Sequence, residues 1–388
     1  MWAGRWEGTK MRMHSLSSRS RAVVCGTAAV LASVTAVTGT SLTAAAQTNN
    51  SIQGSFSLFA VPGTFHIQQL AVGSGGTMWF VTPQSQLGMI SATGQAALTG
   101  VVLPHGNVPA VIAGAGPEGV WSYGQSDTAT YSKGTCALDL VTSDNVVHPV
   151  TLPAVAAQSF CGGAAVDGSG NLWVSLSNQC GSRTCGQRVS LVVEITPALT
   201  VTLFPPPAPG VRAGPVAFAS DGAIWALGGY PQQQLGRYTT SGSSTGIQIP
   251  TGELTGMLAR PDGTFWGWRP ILCIGQTSEF CLRVSRFSAG GPTGSTYLFP
   301  VGISLNGPDQ LGVSTDGSLW RAGAERSEPD RFFRMTANGA IDRSAAFPTA
   351  GGSGLRDDGT LAVSGSSAIW SSAQTSSGAE YLVRFQPL

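Results

Sequence analysis

Read for the alternation of apolar and polar positions, the chain is a succession of short strands. A ten-residue unit recurs in which a small apolar strand, a tight turn and a second strand end on tryptophan. The units are LAVGSGGTMW (70–79), IAGAGPEGVW (112–121), AAVDGSGNLW (164–173), VAFASDGAIW (216–225), MLARPDGTFW (257–266), LGVSTDGSLW (311–320) and LAVSGSSAIW (361–370). The seven tryptophans are separated by 42, 52, 52, 41, 54 and 50 residues. Asp-Gly at 221–222, 262–263 and 316–317 predicts a two-residue hairpin turn with positive φ. After each Trp come a loop and a third strand, as in QLGMIS (86–91), LVVEIT (191–196), QLGRYT (234–239), RVSRFS (283–288) and RFFRMT (331–336). A fourth strand then runs to proline, as in GVVLP (100–104), VTLFP (201–205) and TYLFP (296–300).

Four antiparallel strands at a period of about 40–55 residues make a propeller blade. The pattern therefore predicts an all-β, seven-bladed β-propeller. The seventh blade runs out in its third strand, at 381–385, and the chain stops at Leu388. The missing outer strand appears at the other end as SFSLFAV (55–61), which predicts that the N-terminal strand closes the last blade and removes two open sheet edges. The repeated Trp is expected to pack between neighbouring sheets, and the small first strands suit the crowded centre.

Composition and charge then narrow the setting. Glycine supplies 52 of 388 residues, 42% are hydrophobic and only 11% are charged, which excludes a disordered chain or a coiled coil. A net charge of +1 offers nucleic acid nothing to bind. Residues 1–46 read as a signal peptide: Arg5, Lys10, Arg12, Arg19 and Arg21 form a basic region, an Ala/Val-rich run follows from Ala22, and Ala44-Ala45-Ala46 is an A-x-A cleavage site. Without that segment 16 basic residues face 19 acidic ones. The expected product, 47–388, is a secreted, near-neutral propeller with no membrane span; the alternative is an uncleaved anchor holding it outside the membrane.

The DGxxW unit, with strands such as QLGRYTTSG (234–242) and QLGMISATG (86–94) and outer strands ending in proline, resembles the virginiamycin B (streptogramin B) lyases along all seven repeats. The resemblance implies a metal-assisted elimination that opens a cyclic depsipeptide, with Mg²⁺ as cofactor. It also implies His two places before the first strand, in a Pro-His-x-Ile context, and Glu three places after the blade Trp. The His positions here are Gln68, Ala110, Gly162, Gly214, Thr255, Asp309 and Gly359, and the Glu positions are Thr82, Gly124, Leu176, Gly228, Arg269, Gly323 and Ala373. The constellation is absent, and an elimination needs a base within reach of the proton it removes.

Other chemistry gathers on one face, where the loops between blades and those between second and third strands meet. His66 and His105 lie in adjacent blade-entry loops, as do Glu253, Asp309, Arg212 and Arg356. His66, His105, Asp309 and Glu253 are the weak catalytic candidates. Tyr123, Tyr131, Tyr230 and Trp268, expected in long loops of that face, are the binding candidates together with Arg212 and Arg356. The charged run Glu325, Arg326, Glu328, Asp330, Arg331 reads as solvated. Six cysteines follow the signal segment, and export favours disulfides: Cys180–Cys185, Cys273–Cys281 and Cys136–Cys161 are the expected pairs, though six cysteines allow 15 connectivities. The expectation is a monomeric, non-catalytic scaffold with a small ligand or extracellular partner at the upper mouth and no committed cofactor. The alternatives are a lyase with a rebuilt site and a structural envelope component.

Overall fold

The computed structural model describes residues 52–388 apart from 62–65, 74–76, 92–93, 105–110, 127–134, 157–158, 178–189, 207–212, 229–232, 244–246, 250–253, 273–279, 289–290, 300–310, 325–328, 358–359 and 365–367. The leader reading of 1–46 lies outside these residues. Seven antiparallel sheets follow one another along the chain. Strands within a blade are called a to d from the centre outward.

Blade 1 shows the plan, with strands Gln69–Val72, Met78–Val81, Gln86–Ile90 and Ala96–Val102 in that order. Adjacent a strands touch all the way round, from blade 1 through blade 7 and back, so the ring is closed. The closing device is the expected one: Gly54–Ala60 is strand d of blade 7 and pairs in unbroken register with Glu380–Pro387. Departures from the plan are local. Strand a of blade 7 is split into Leu355–Asp357 and Ala362–Val363, and strand d of blade 4 into Gly242–Ser243 and Ile247–Ile249.

The repeated Trp has the predicted role. All seven sit on strand b, buried to 7% exposure or less. Some of their indole N–H groups tie neighbouring sheets together at the lower turns, and others brace the turn of their own blade. Trp121 donates to Gly170 O (2.8 Å) and Trp266 to Gly317 O (3.0 Å), each in the next blade, while Trp173 donates to Asp167 Oδ2 of its own turn (2.9 Å). This explains why turn Asp, turn Gly and Trp travel together in the repeat.

The turn itself is not the two-residue type that Asp-Gly predicts. Gly222 N donates to Ala219 O, Ala219 N donates to Ala223 O, and only Gly222 of the Asp-Gly pair has positive φ, at 78°. This is a type I turn followed by a left-handed glycine. The same closure recurs at 260–264 and 314–318. Asp221 stays in the ordinary right-handed region because its Oδ1 accepts the Ala223 N–H (3.0 Å), which fixes the longer turn.

The centre demands glycine. A Cβ on Gly163 would lie 2.7 Å from Pro215 Cα of the next blade, and one on Gly312 would lie 2.3 Å from Val363 Cγ2. Small inner strands are therefore a steric requirement of seven blades meeting on one axis.

Candidate functional site

The a strands run from the upper face to the lower, so blade-entry loops and b–c connections share the upper face. Blades 1 and 7 have short b–c turns, closed by Thr82 N donating to Gln86 O and by Thr375 N donating to Ala379 O. These two blades meet where the ring closes.

That seam holds the polar cluster. Arg356 on strand a, Gln374 on strand b and Glu380 on strand c are register partners in a row across blade 7. His66, in the entry to blade 1, leans over the row: its Nδ1 stands 3.5 Å from Glu380 Oε2, and Gln374 Nε2 lies 3.3 Å from its Nε2. The Glu380 side chain is 1% exposed and the His66 side chain 51%. Ile67 N donates to Glu380 Oε1 (3.3 Å), and Ser372 Oγ donates to Ile67 O (3.5 Å). A buried carboxylate thus anchors an exposed imidazole, an arrangement that orients the ring.

Of the sequence candidates, the structure brings His66 and Arg356 to this one place, with Arg356 on the strand Leu355–Asp357 rather than in the entry loop expected, because its backbone pairs with Gln374. Tyr123 and Trp268 are described but are strand residues, not loop residues, which corrects the expectation. Tyr123 lies in Gly119–Ser126, packs against the core between blades 2 and 3, and burial pushes its hydroxyl up to about 12. Trp268 lies in Thr264–Leu272, opposite Gly256, where a Cβ would run into the indole. The indole covers the glycine backbone, so no side chain fits beneath it. His105, Glu253, Asp309, Arg212, Tyr131, Tyr230, Cys180, Cys185 and Cys273 lie outside the described residues.

Cys136 and Cys161 form the expected disulfide, joining strand c of blade 2 to strand a of blade 3 at the upper face. Cys281 is also disulfide-bonded. Close by, Asp139 is buried beside Ser122 on the neighbouring strand, and burial pushes its carboxyl from 3.8 up to about 6.

The positions at which a lyase carries its Glu are filled otherwise. Thr82, Leu176 and Ala373 are fully buried, and Thr82 Oγ1 accepts the Gln86 N–H (3.1 Å). Arg269 places a cation where a carboxylate would be needed. Among the described residues no three His, Cys, Asp or Glu side chains converge. Sequence reasoning missed Glu380, Gln374 and Gln68 as neighbours of His66. Glu380 and His66 are more than 300 residues apart, and only the closed ring makes them adjacent.

The chain is similar to solved lyase structures. One is a catalytically inactive variant of virginiamycin B lyase from Staphylococcus aureus with quinupristin: 16% identity, 86% of this chain and 100% of that chain covered, TM-score 0.55. Another is a streptogramin B lyase: 14% identity, 85% and 98% covered, TM-score 0.54. It shares their seven-bladed fold. At such identities the likeness is one of fold. No family model and no curated protein matches the chain.

Proposed function

We propose that this chain is an exported β-propeller that binds a ligand across its upper mouth and does not open depsipeptide rings. The observation that carries the reading is the replacement of all seven lyase Glu positions, with Thr82, Leu176 and Ala373 turned into packed interior. Removal of a proton next to an ester needs a base and a charge-stabilising partner held together, and those positions supply neither. Export is supported by the leader pattern at 1–46 and by the Cys136–Cys161 disulfide, a bond that persists in oxidising compartments. The same disulfide ties two blades beneath the mouth, which lowers the ordering cost of binding there.

Titration calorimetry tests the reading. A streptogramin B depsipeptide injected with Mg²⁺ into the purified protein is expected to give peaks that return to baseline. A sustained Mg²⁺-dependent heat flow after each injection means turnover and overturns it.

The His66–Glu380 contact favours a second reading, in which His66 serves as a proton acceptor in a rebuilt elimination site. In that case the parent shows the sustained heat and His66→Ala abolishes it, whereas under the binding reading neither protein shows it.

A further inference from the structure

We propose that the upper end of the seam between blades 7 and 1 is a subsite for a peptidic ligand ending in a free carboxylate. Arg356 takes the carboxylate and Gln68 takes the adjacent amide N–H. The inference rests on the binding reading above and names the ligand class for that mouth.

Orientation follows from register. Trp370 and Leu382 of blade 7 pack in one cluster with Leu70 and Phe80 of blade 1, so the even-numbered residues of these blade 7 strands face the seam. Gln374 and Glu380 continue that parity, and Arg356 pairs directly with Gln374. From the other side, Gln68 lies two residues before Leu70, and its N–H extends the ladder by donating to Val81 O (2.8 Å). Gln68 therefore turns its side chain to the same seam, one residue beyond the Ile67 that Glu380 and Ser372 hold.

Two groups there lack what they would ordinarily have. Gln68 Oε1 is buried and accepts no hydrogen bond among the described residues, although an unsatisfied buried acceptor is costly. Arg356 is exposed and makes no hydrogen bond or ion pair among the described residues. Its planar guanidinium presents a fork of donors matched to a carboxylate.

Glu380 does not compete for Arg356. It is enclosed by Ile67 and His66, and it lies two strands away, about 10 Å at roughly 4.8 Å per strand. An acceptor and a guanidinium that face one seam suit a ligand carrying an N–H and a carboxylate close together, as at a peptide C-terminus. Sulfate at neutral pH has no proton to donate to Gln68 Oε1. The b–c turns of blades 1 and 7 on either side of the seam are short.

The test is calorimetry of the full protein with acetyl-Ala-Ala-Ala as the free acid and as its C-terminal amide, at up to millimolar peptide. The free acid is expected to bind about tenfold tighter than the amide. Arg356→Gln should bring the acid down to the level of the amide and leave the amide unchanged. Gln68→Leu should weaken both severalfold. Unchanged melting temperatures show that both variants are folded.

Equal affinity for acid and amide, no binding of the acid, or Arg356→Gln retaining the preference overturns the subsite. Failure of the broader reading looks different. A protein that binds the depsipeptide but neither tripeptide keeps its mouth and loses the subsite. One that opens the depsipeptide ring contradicts the binding reading, whatever the tripeptides do.

Discussion

Phe56→Ala tests the ring closure from its own strand. Phe56 is 1% exposed and sits at the centre of a cluster of rings: its centroid is 4.9 Å from Phe385 and 6.3 Å from both Phe332 and Phe347. Those three also pack on one another, with Phe332–Phe347 at 4.9 Å and Phe332–Phe385 at 5.8 Å, so they cannot collapse into the space that the substitution leaves. Truncating a buried Phe to Ala costs about 3–5 kcal/mol, and a site that cannot collapse falls toward the upper end. At roughly 2 °C per kcal/mol for a chain of this size, the melting temperature should drop by roughly 6–10 °C. Ser57→Ala, next on the same strand and partly exposed, should stay within about 0.5 kcal/mol of the parent. Differential scanning calorimetry at one fixed scan rate reads both. If Phe56→Ala melts with the parent, the N-terminal strand does not hold blade 7 together and the closure is wrong.

Further expectations follow from the same structure. Deleting 47–62 should lower the melting temperature further than Phe56→Ala does, because it leaves Glu380–Pro387 as an unpaired edge. Gly163→Ala forces a Cβ against backbone at 2.7 Å and should destabilise by about 1–3 kcal/mol in urea denaturation, whereas Gly354→Ala meets nothing within 4 Å and should be nearly neutral. Asp139 carries a carboxyl raised in the folded state, so the folded protein holds a proton that the unfolded chain releases. Its contribution is present below pH 3.8 and is lost as pH rises to about 6, a change of about 3 kcal/mol. Stability curves of the parent and Asp139→Asn should therefore diverge across that window and run parallel above it; parallel curves throughout would refute the assignment. Cys136→Ala with Cys161→Ala opens a link across a sequence separation of 25 and should cost about 3 kcal/mol, read as an earlier denaturant midpoint.

The architecture was legible because its signals are local and repeated. A Trp closing a small-residue hairpin seven times reports a packing need that each blade meets in the same way, and third strands start where expected at Gln86–Ile90 and Arg331–Met335, while that of blade 5 begins three residues early, at Phe280. Closure was legible because Ser55–Val61 has the form of an outer strand with no blade of its own. The turn type was not, because the Asp221 carboxylate bonds the backbone two residues on and so favours a longer turn than the dipeptide alone suggests. Tyr123 and Trp268 were placed in loops because polar and aromatic residues follow the blade Trp there, yet strand b continues through Ser126 and Leu272.

The seam site was the least legible part. His66 and Arg356 stood out as lone polar residues in entry loops. Glu380 reads as one acid in an ordinary strand, and Gln68 as a substituted His position. Their meeting is a property of the ring, since blades 7 and 1 adjoin only after closure. A paired buried carboxylate leaves no sign in sequence spacing when its partner lies at the other end of the chain.

The central claim is that a lyase-like propeller has been emptied of the lyase's chemistry. Incubation of the purified protein with a streptogramin B depsipeptide, with and without Mg²⁺, followed by chromatographic separation of cyclic and linear forms, tests it most directly. The account predicts that the ring stays closed in both mixtures. A linear product that accumulates only with Mg²⁺ contradicts it and makes His66 the first residue to substitute.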